Sequence, residues 1–215
     1  MKMRFRLMAA AVAAALLSHP DNARAHRLDE YLQAARFSVR TDRVDLELDL
    51  TPGIVVAPQV SSLIDTNHDG RISATEGREY GARVLGAIEL YLDNALVPLT
   101  LTDAVFPELR DMNAGTGMIR LRAGGAVAPA VLGRHELFYR NTHEAGISVY
   151  LANALVPEDK QIEITGQRRD AGQHELTIEY RVIPPPSRRS QAWLALAFAV
   201  AALIPTLYKV LSNST

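Results

Sequence analysis

Alternation of apolar and acidic residues with a period of two most constrains what this chain can fold into. The clearest run spans residues 44–50, where valine and leucine alternate with aspartate and glutamate. Successive side chains of an extended strand point to opposite faces, so this run has one apolar and one acidic face. It predicts a half-buried strand that pairs with residues 31–39 through a turn at Thr41 and Asp42.

Similar short segments follow along the chain. Residues 88–92 and 97–101 flank a turn at 93–95, and the other candidates are residues 118–122, 135–140, 147–150, 161–167 and 175–183. Several short strands separated by Gly, Pro, Asn and Asp are typical of an antiparallel sandwich. We therefore predict a mainly β fold, an Ig-like antiparallel β-sandwich over residues 26–183. Gly124-Gly125 and residues 115–117 are expected to be turns between its strands.

Residues 65–76, after the second predicted strand, follow a different pattern. Oxygen-bearing groups recur at alternate positions, glycine is sixth and glutamate is twelfth. Gly70 permits a sharp bend because it has no Cβ to penalise positive φ, and such oxygens are the ligands of a hard cation. The expected ligands are Asp65, Asn67, Asp69, Arg71 through its backbone carbonyl, Ser73 and Glu76. Thr66 and His68 fall between these positions and are expected to face solvent.

This spacing resembles the calcium loop of the EF-hand family, over these twelve residues only. The resemblance implies Ca²⁺ as the bound ion, with Glu76 binding in the bidentate mode that favours calcium over magnesium. Pro58 suits the first turn of an entering helix, and Ser73 with Glu76 forms a capping box that starts an exiting helix from Ala74 to about Gly86. One EF-hand, inserted at about 55–87, is expected. The competing interpretation is an acidic surface turn that binds nothing.

The first 25 residues are typical of a secretory signal peptide. Basic residues precede an apolar run at 7–17, and Ala23-Arg24-Ala25 is a cleavage site, so the mature chain is expected to begin at His26. An uncleaved membrane helix is the alternative, but about eleven apolar residues fall short of the ~20 that a span needs.

The C-terminal segment predicts one transmembrane helix at 191–211, after a Pro-rich linker at 184–190 and before a short tail at 212–215. A buried core helix is the alternative. Arg188 and Arg189 alone would place the preceding domain in the cytoplasm. The signal peptide instead predicts export of the domain, and we take it to determine the orientation. The expected location is the cell envelope, with a periplasmic domain anchored in the inner membrane.

Charge and motifs limit the function. Residues 26–187 contain 16 basic and 23 acidic side chains, a formal net charge of −7, which argues against binding of nucleic acid or anionic lipid. The chain has no cysteine, so no disulfide can stabilise it. It has neither a G-x-S-x-G nor an H-E-x-x-H motif nor a phosphate-binding Gly-rich loop. We expect a protein without enzymatic activity. Its calcium site is expected to have a structural role or to present a surface to a partner.

Two other functions are open. A mature N-terminal His26 offers its α-amine and ring nitrogen to copper, together with His135, His143 and His174 if these converge; this resembles the copper-brace chemistry of secreted sandwich proteins. Residues 26–34 also resemble the mature start of bacterial envelope proteins, some of which carry or sit beside transporter-like membrane segments. That resemblance implies an accessory subunit of a membrane transporter, with a membrane-protein partner.

Overall fold

The computed structural model describes residues 29–129 and 131–185, which form ten strands and three helices. The elements are β1 (Tyr31–Val39), β2 (Arg43–Pro52), α1 (Ala57–Ile64), α2 (Ala74–Gly86), β3 (Ile88–Leu92), β4 (Ala95–Leu96), β5 (Thr100–Val105), α3 (Leu109–Asn113), β6 (Ile119–Ala126), β7 (Gly133–Asn141), β8 (Ser148–Ala154), β9 (Ile162–Arg169) and β10 (Glu175–Val182). The predicted signal peptide, His26 and the predicted membrane helix at 191–211 lie outside the described residues. Within the described part of the chain, no helix has the length and apolar content needed to cross a membrane.

Two five-stranded sheets make up the domain, in the orders β5-β6-β2-β1-β8 and β4-β3-β7-β10-β9. The paired strands are antiparallel, apart from β1 and β8, which run parallel. The mainly β, sandwich-like prediction is confirmed at this level. The parallel pair was not predicted: the chain crosses from β7 in one sheet to β8 in the other and enters β8 beside Tyr31, where β1 also begins.

The two sheets share one core. Along β1 and β2, fully buried residues alternate with partly buried ones over nearly the whole length of both strands, as the sequence alternation predicts. Phe37 of β1 and Tyr139 of β7 meet edge to face across the sheets, with ring centroids 4.8 Å apart. Such an aromatic pair contributes about 0.5–1.5 kcal/mol beyond its buried area. Both rings belong to the single buried cluster that joins the sheets.

The predicted strand at 97–101 is wrong. Asp93 and Asn94 have φ of 48° and 66°, the combination of a two-residue type I′ hairpin turn, and β4 then ends at Leu96. Pro98 has no N–H to donate to a strand ladder, and β5 begins only at Thr100. Because β4 pairs with β3 and β5 pairs with β6, this segment crosses from one sheet to the other.

The turn predicted at Gly124-Gly125 is also wrong, since both residues lie inside β6, opposite Asp45 and Val44. A Cβ on Gly125 would lie 2.5 Å from Val97 Cγ1 and 3.1 Å from the Pro98 carbonyl oxygen. Glycine is needed there because the crossing segment packs directly on the strand. The second predicted turn agrees with the structure, since Gly115 has φ of +70° just after α3.

We expect Gly125→Ala to lower the free energy of unfolding by about 1–3 kcal/mol, because the added methyl group would collide with Val97 and Pro98. Gly124→Ala is the matched control: its Cβ would meet Asp45 Oδ1 at an ordinary 3.4 Å, so its effect should be small. Urea unfolding of both variants measures the difference. Equal stability of the two variants would show that the crossing segment does not pack on Gly125.

Candidate metal centre

Two helices flank the loop at 65–76, as the sequence predicts. Helix α1 carries Pro58 in its first turn, and α2 runs from Ala74 to Gly86. The capping box is complete: the Glu76 N–H donates to Ser73 Oγ at 3.2 Å, and the Ser73 N–H donates to Glu76 Oε2 at 2.9 Å. This reciprocal pair fixes the start of α2 locally, which is why its boundaries can be predicted from sequence.

The loop folds around Asp65, whose side chain is buried although it carries a carboxylate. Its Oδ1 accepts a hydrogen bond from the Asp69 N–H at 3.1 Å, and its Oδ2 accepts one from the Gly70 N–H at 3.0 Å. Gly70 has φ of +81°, so the predicted bend is present. The first and fifth positions of the loop are therefore held next to each other.

Glu76 reaches from the first turn of α2 back to the start of the loop. Its Oε1 accepts from the Thr66 N–H at 3.0 Å and from Thr66 Oγ1 at 3.3 Å, while its Oε2 accepts from Ser73 Oγ at 2.8 Å. Hydrogen bonds from Ser73, then from Asn67 and Thr66, lower the pKa of Glu76 to about 2, against the opposing effect of desolvation. The twelfth position is thus anionic and hydrogen-bonded to the second.

The intermediate positions are exposed and bonded within the loop. Asn67 Oδ1 accepts from the Asp69 N–H at 2.8 Å, and Asp69 Oδ1 accepts from the Arg71 N–H at 2.9 Å. Thr66 and His68 are exposed, as expected. The hydrogen bonds from Thr66 to Glu76 were not predicted, because the ligand pattern assigns no role to the second position.

These residues fit Ca²⁺ by donor type, by order and by the bend at Gly70. Among residues 29–129 and 131–185, no three His, Asp or Glu side chains are grouped as metal ligands would be. The carboxylates of Asp65, Asp69 and Glu76 accept hydrogen bonds from loop N–H groups instead. A cation would need these oxygens to turn toward one point. The loop already bonds its twelfth position to its second and third, Thr66 and Asn67.

Close packing fixes α2 against the sandwich. A Cβ on Gly77 would lie 2.8 Å from Phe106 Cε2, and one on Gly81 would lie 2.7 Å from Leu101 Cδ2. Glycine costs an isolated helix up to ~1 kcal/mol relative to alanine. Here these two glycines let β5 and the segment after it approach the helix closely.

A buried polar network ties α2 to both sheets. The Tyr80 hydroxyl lies 2.7 Å from the Tyr31 hydroxyl and 3.1 Å from His143 Nε2. Gln33 Nε2 donates to the His143 carbonyl oxygen at 2.8 Å, and Asn141 Nδ2 donates to Gln33 Oε1 at 2.9 Å. Burial, with Arg83 nearby, lowers the pKa of His143 to about 4. The sequence gives no local signal for this network, whose members lie far apart along the chain.

The structure does not bring all three of the described candidate copper histidines together. His135 lies near the start of β7 and His143 follows its end, eight residues later, so ~27 Å of strand separates them. His135 contacts the Asp93 carboxylate through Nδ1 and the Val131 carbonyl through Nε2, both at 2.7 Å, and His174 packs on Tyr150. His135 and His143 therefore cannot serve one ion, and a copper role of His26, outside the described residues, stays a prediction.

No protein-family model matches this chain, and no curated protein matches it at a significant level. Any function must therefore be argued from the residues themselves.

Glu76 predicts an acid-sensitive stability in calcium-free solution. Its pKa is about 2 when folded against an ordinary 4.5, so its contribution is present above about pH 4.5 and is lost as the pH falls toward about 2. Glu76→Gln should therefore lose less stability than the wild type between about pH 6 and about pH 3. Urea unfolding in the presence of a chelator measures this.

Glu79→Gln, which changes an exposed acid on the same helix, is the control and should respond to acid as the wild type does. Equal acid sensitivity of Glu76→Gln and the wild type would contradict the assigned hydrogen bonds.

Proposed function

We propose that residues 65–76 bind one Ca²⁺ and form a single EF-hand inserted in an Ig-like β-sandwich. The ligands are Asp65, Asn67, Asp69, Ser73 and Glu76 through their side chains and Arg71 through its carbonyl oxygen. The observation that carries this proposal is that the loop, between two helices, already holds the carboxylates of Asp65 and Glu76 next to its own backbone. The loop carries three carboxylates, and a divalent cation bound among them would neutralise their charge.

The role of calcium in this proposal is structural or partner-presenting. Helix α2 is held by the Tyr80 hydrogen bonds and by the contacts of Gly77 and Gly81. A helix held in this way is not expected to reorient when calcium binds. Its rotation would break buried hydrogen bonds, at a cost of about 1–3 kcal/mol for each group left unpaired. Calcium would instead order the loop, and no catalytic role is assigned to the protein.

The proposed location is the cell envelope. The signal sequence at 1–25 and the apolar segment at 191–211 support an exported domain anchored in the inner membrane through a C-terminal helix. The described chain ends on Ile183-Pro184-Pro185, the start of the Pro-rich linker. Prolines favour an extended, semi-rigid spacer, here between the domain and the proposed membrane helix.

Calcium should raise the melting temperature of the protein, because it binds the folded loop and not the unfolded chain. The stabilisation is RT ln(1 + [L]/Kd), about 2.7 kcal/mol at a hundredfold excess over Kd. Extracellular EF-hand modules bind at roughly 10⁻⁴–10⁻³ M, so calcium at a few times 10⁻³ M is the concentration to use. Magnesium should have a much smaller effect. Calorimetry measures both.

Two variants make this test specific. Glu76→Gln should abolish most of the rise, because the neutral amide loses the bidentate charge while it keeps the shape. His68→Ala should leave the rise intact, since His68 is exposed between ligand positions. A wild-type melting temperature that calcium leaves unchanged would refute the calcium proposal.

The envelope proposal predicts the two ends of the exported protein. N-terminal sequencing should find His26 first, and the protein should remain with the membrane fraction. Deletion from Pro184 onward should release a soluble domain. A protein that retains Met1, or a truncated chain that stays with the membrane, would refute the proposed export and anchor respectively.

A further inference from the structure

The connection from β6 to β7 carries no polar side chain. Residues 126–133 read Ala-Val-Ala-Pro-Ala-Val-Leu-Gly. Val131 is 73% exposed and Leu132 is 58% exposed. Exposed apolar groups that cluster mark interaction surfaces, whereas isolated ones are ordinary.

Two further exposed apolar residues lie at the same end of the sandwich. Val156 is 90% exposed in the connection from β8 to β9, and Leu96 of β4 is 63% exposed. Leu96 and Val131 line one shallow pocket. We call Leu96, Val131, Leu132 and Val156 the exit face. The other large exposed apolar residues are dispersed over β5, β8 and the connection from β2 to α1: Ile54, Val55, Val105, Val149 and Leu151.

The chain leaves the sandwich at this face. The last residue of β10, Val182, pairs with Gly133 at the end of the apolar loop, and the Ile183 N–H donates to the Gln161 carbonyl oxygen at 2.8 Å. Residues 184–190 then lead to the membrane helix predicted at 191–211. Seven residues span at most ~25 Å when fully extended, so the exit face must lie within that distance of the bilayer if the anchor is present.

The calcium loop is attached at the opposite end. Helix α1 follows Pro52, which pairs with Tyr31, and α2 leads into Ile88, which pairs with Asn141. Nine residues of β1, ~30 Å of strand, separate that end from the exit face.

Two acidic side chains in the connection from β8 to β9 have protein partners. Glu158 forms an ion pair with Arg40 at 3.2 Å, and Asp159 accepts a hydrogen bond from Thr41 Oγ1 at 3.1 Å. His135 also holds the loop in place through the Val131 carbonyl oxygen. The surface at this end is therefore an apolar loop with a fixed conformation. Its contact with a membrane would be driven by burial of apolar side chains and not by attraction to charged lipids.

We propose that the exit face contacts the lipid bilayer that anchors the chain, with Val131, Leu132 and Val156 in the interfacial region. This proposal rests on the proposed membrane anchor. It gives the domain one orientation, with its apolar loop on the lipid and its calcium loop at the end away from the membrane.

Single cysteines test this directly, because the chain has none of its own. The full chain is reconstituted into phosphatidylcholine–phosphatidylethanolamine vesicles, with an environment-sensitive fluorophore on Val131→Cys. The matched control is Val55→Cys, since Val55 is 68% exposed but follows β2 at the opposite end. A spin-labelled lipid should quench the label at 131 at least about twofold more than the label at 55, because an interfacial group sits roughly 5–10 Å into the headgroup region.

A label at 131 that aqueous iodide quenches as strongly as the label at 55 would overturn the proposal. So would a label at 131 protected from both iodide and spin-labelled lipid, which would indicate that a protein, such as a second copy, covers the face. Leu132→Cys repeats the measurement where the first variant does not fold. Flotation of the same vesicles separates the two claims: protein that does not float refutes the anchor and the contact together, whereas floating protein with a water-exposed label refutes the contact alone.

Discussion

The position of the candidate calcium loop depends on a chain of buried hydrogen bonds through Tyr31, Tyr80 and His143. Tyr31 belongs to β1, Tyr80 to α2 and His143 to the connection from β7 to β8, so three distant parts of the sequence meet at these atoms. Unpaired buried hydroxyl groups cost about 1–3 kcal/mol each. These hydrogen bonds therefore fix the position of α2 on the sandwich. The loop that precedes α2 is positioned with it.

The protonation state of His143 matters for this arrangement. Burial lowers its pKa to about 4, so at neutral pH the ring is uncharged and Nε2 can accept a hydrogen bond from the Tyr80 hydroxyl. Tyr80 can then accept from Tyr31, and each hydroxyl has a partner. Arg83, on the helix that carries Tyr80, adds to the same preference. Burial, and to a smaller extent the charge of Glu144, raises the pKa of Tyr31 and of Tyr80.

Local signals explain what the sequence could predict. The capping box of Ser73 and Glu76 and the alternation along β1 and β2 act over a few residues, and those elements lie where they were expected. The missed features depend on distant contacts. Glycine is needed at position 125 of β6 because Val97 packs against it. Strand β8 runs parallel to β1 because the chain crosses between the sheets after β7. Among the predicted site residues, the sequence predicted the bend at Gly70 and the capping box, but it did not predict the bonds from Thr66 to Glu76 or the network around Tyr80.

The candidate calcium loop and the chain exit lie at opposite ends of the sandwich. This separation limits what calcium bound in the loop could do. A signal from the loop to the membrane would have to pass through about 30 Å of closely packed sandwich, whose strands are paired along their length. Close-packed cores are bistable only where a second packing exists, and the Tyr80 network favours one packing. Calcium bound in the candidate loop would thus be better suited to fixing the surface around α2 and β5 than to moving the chain where it leaves the sandwich.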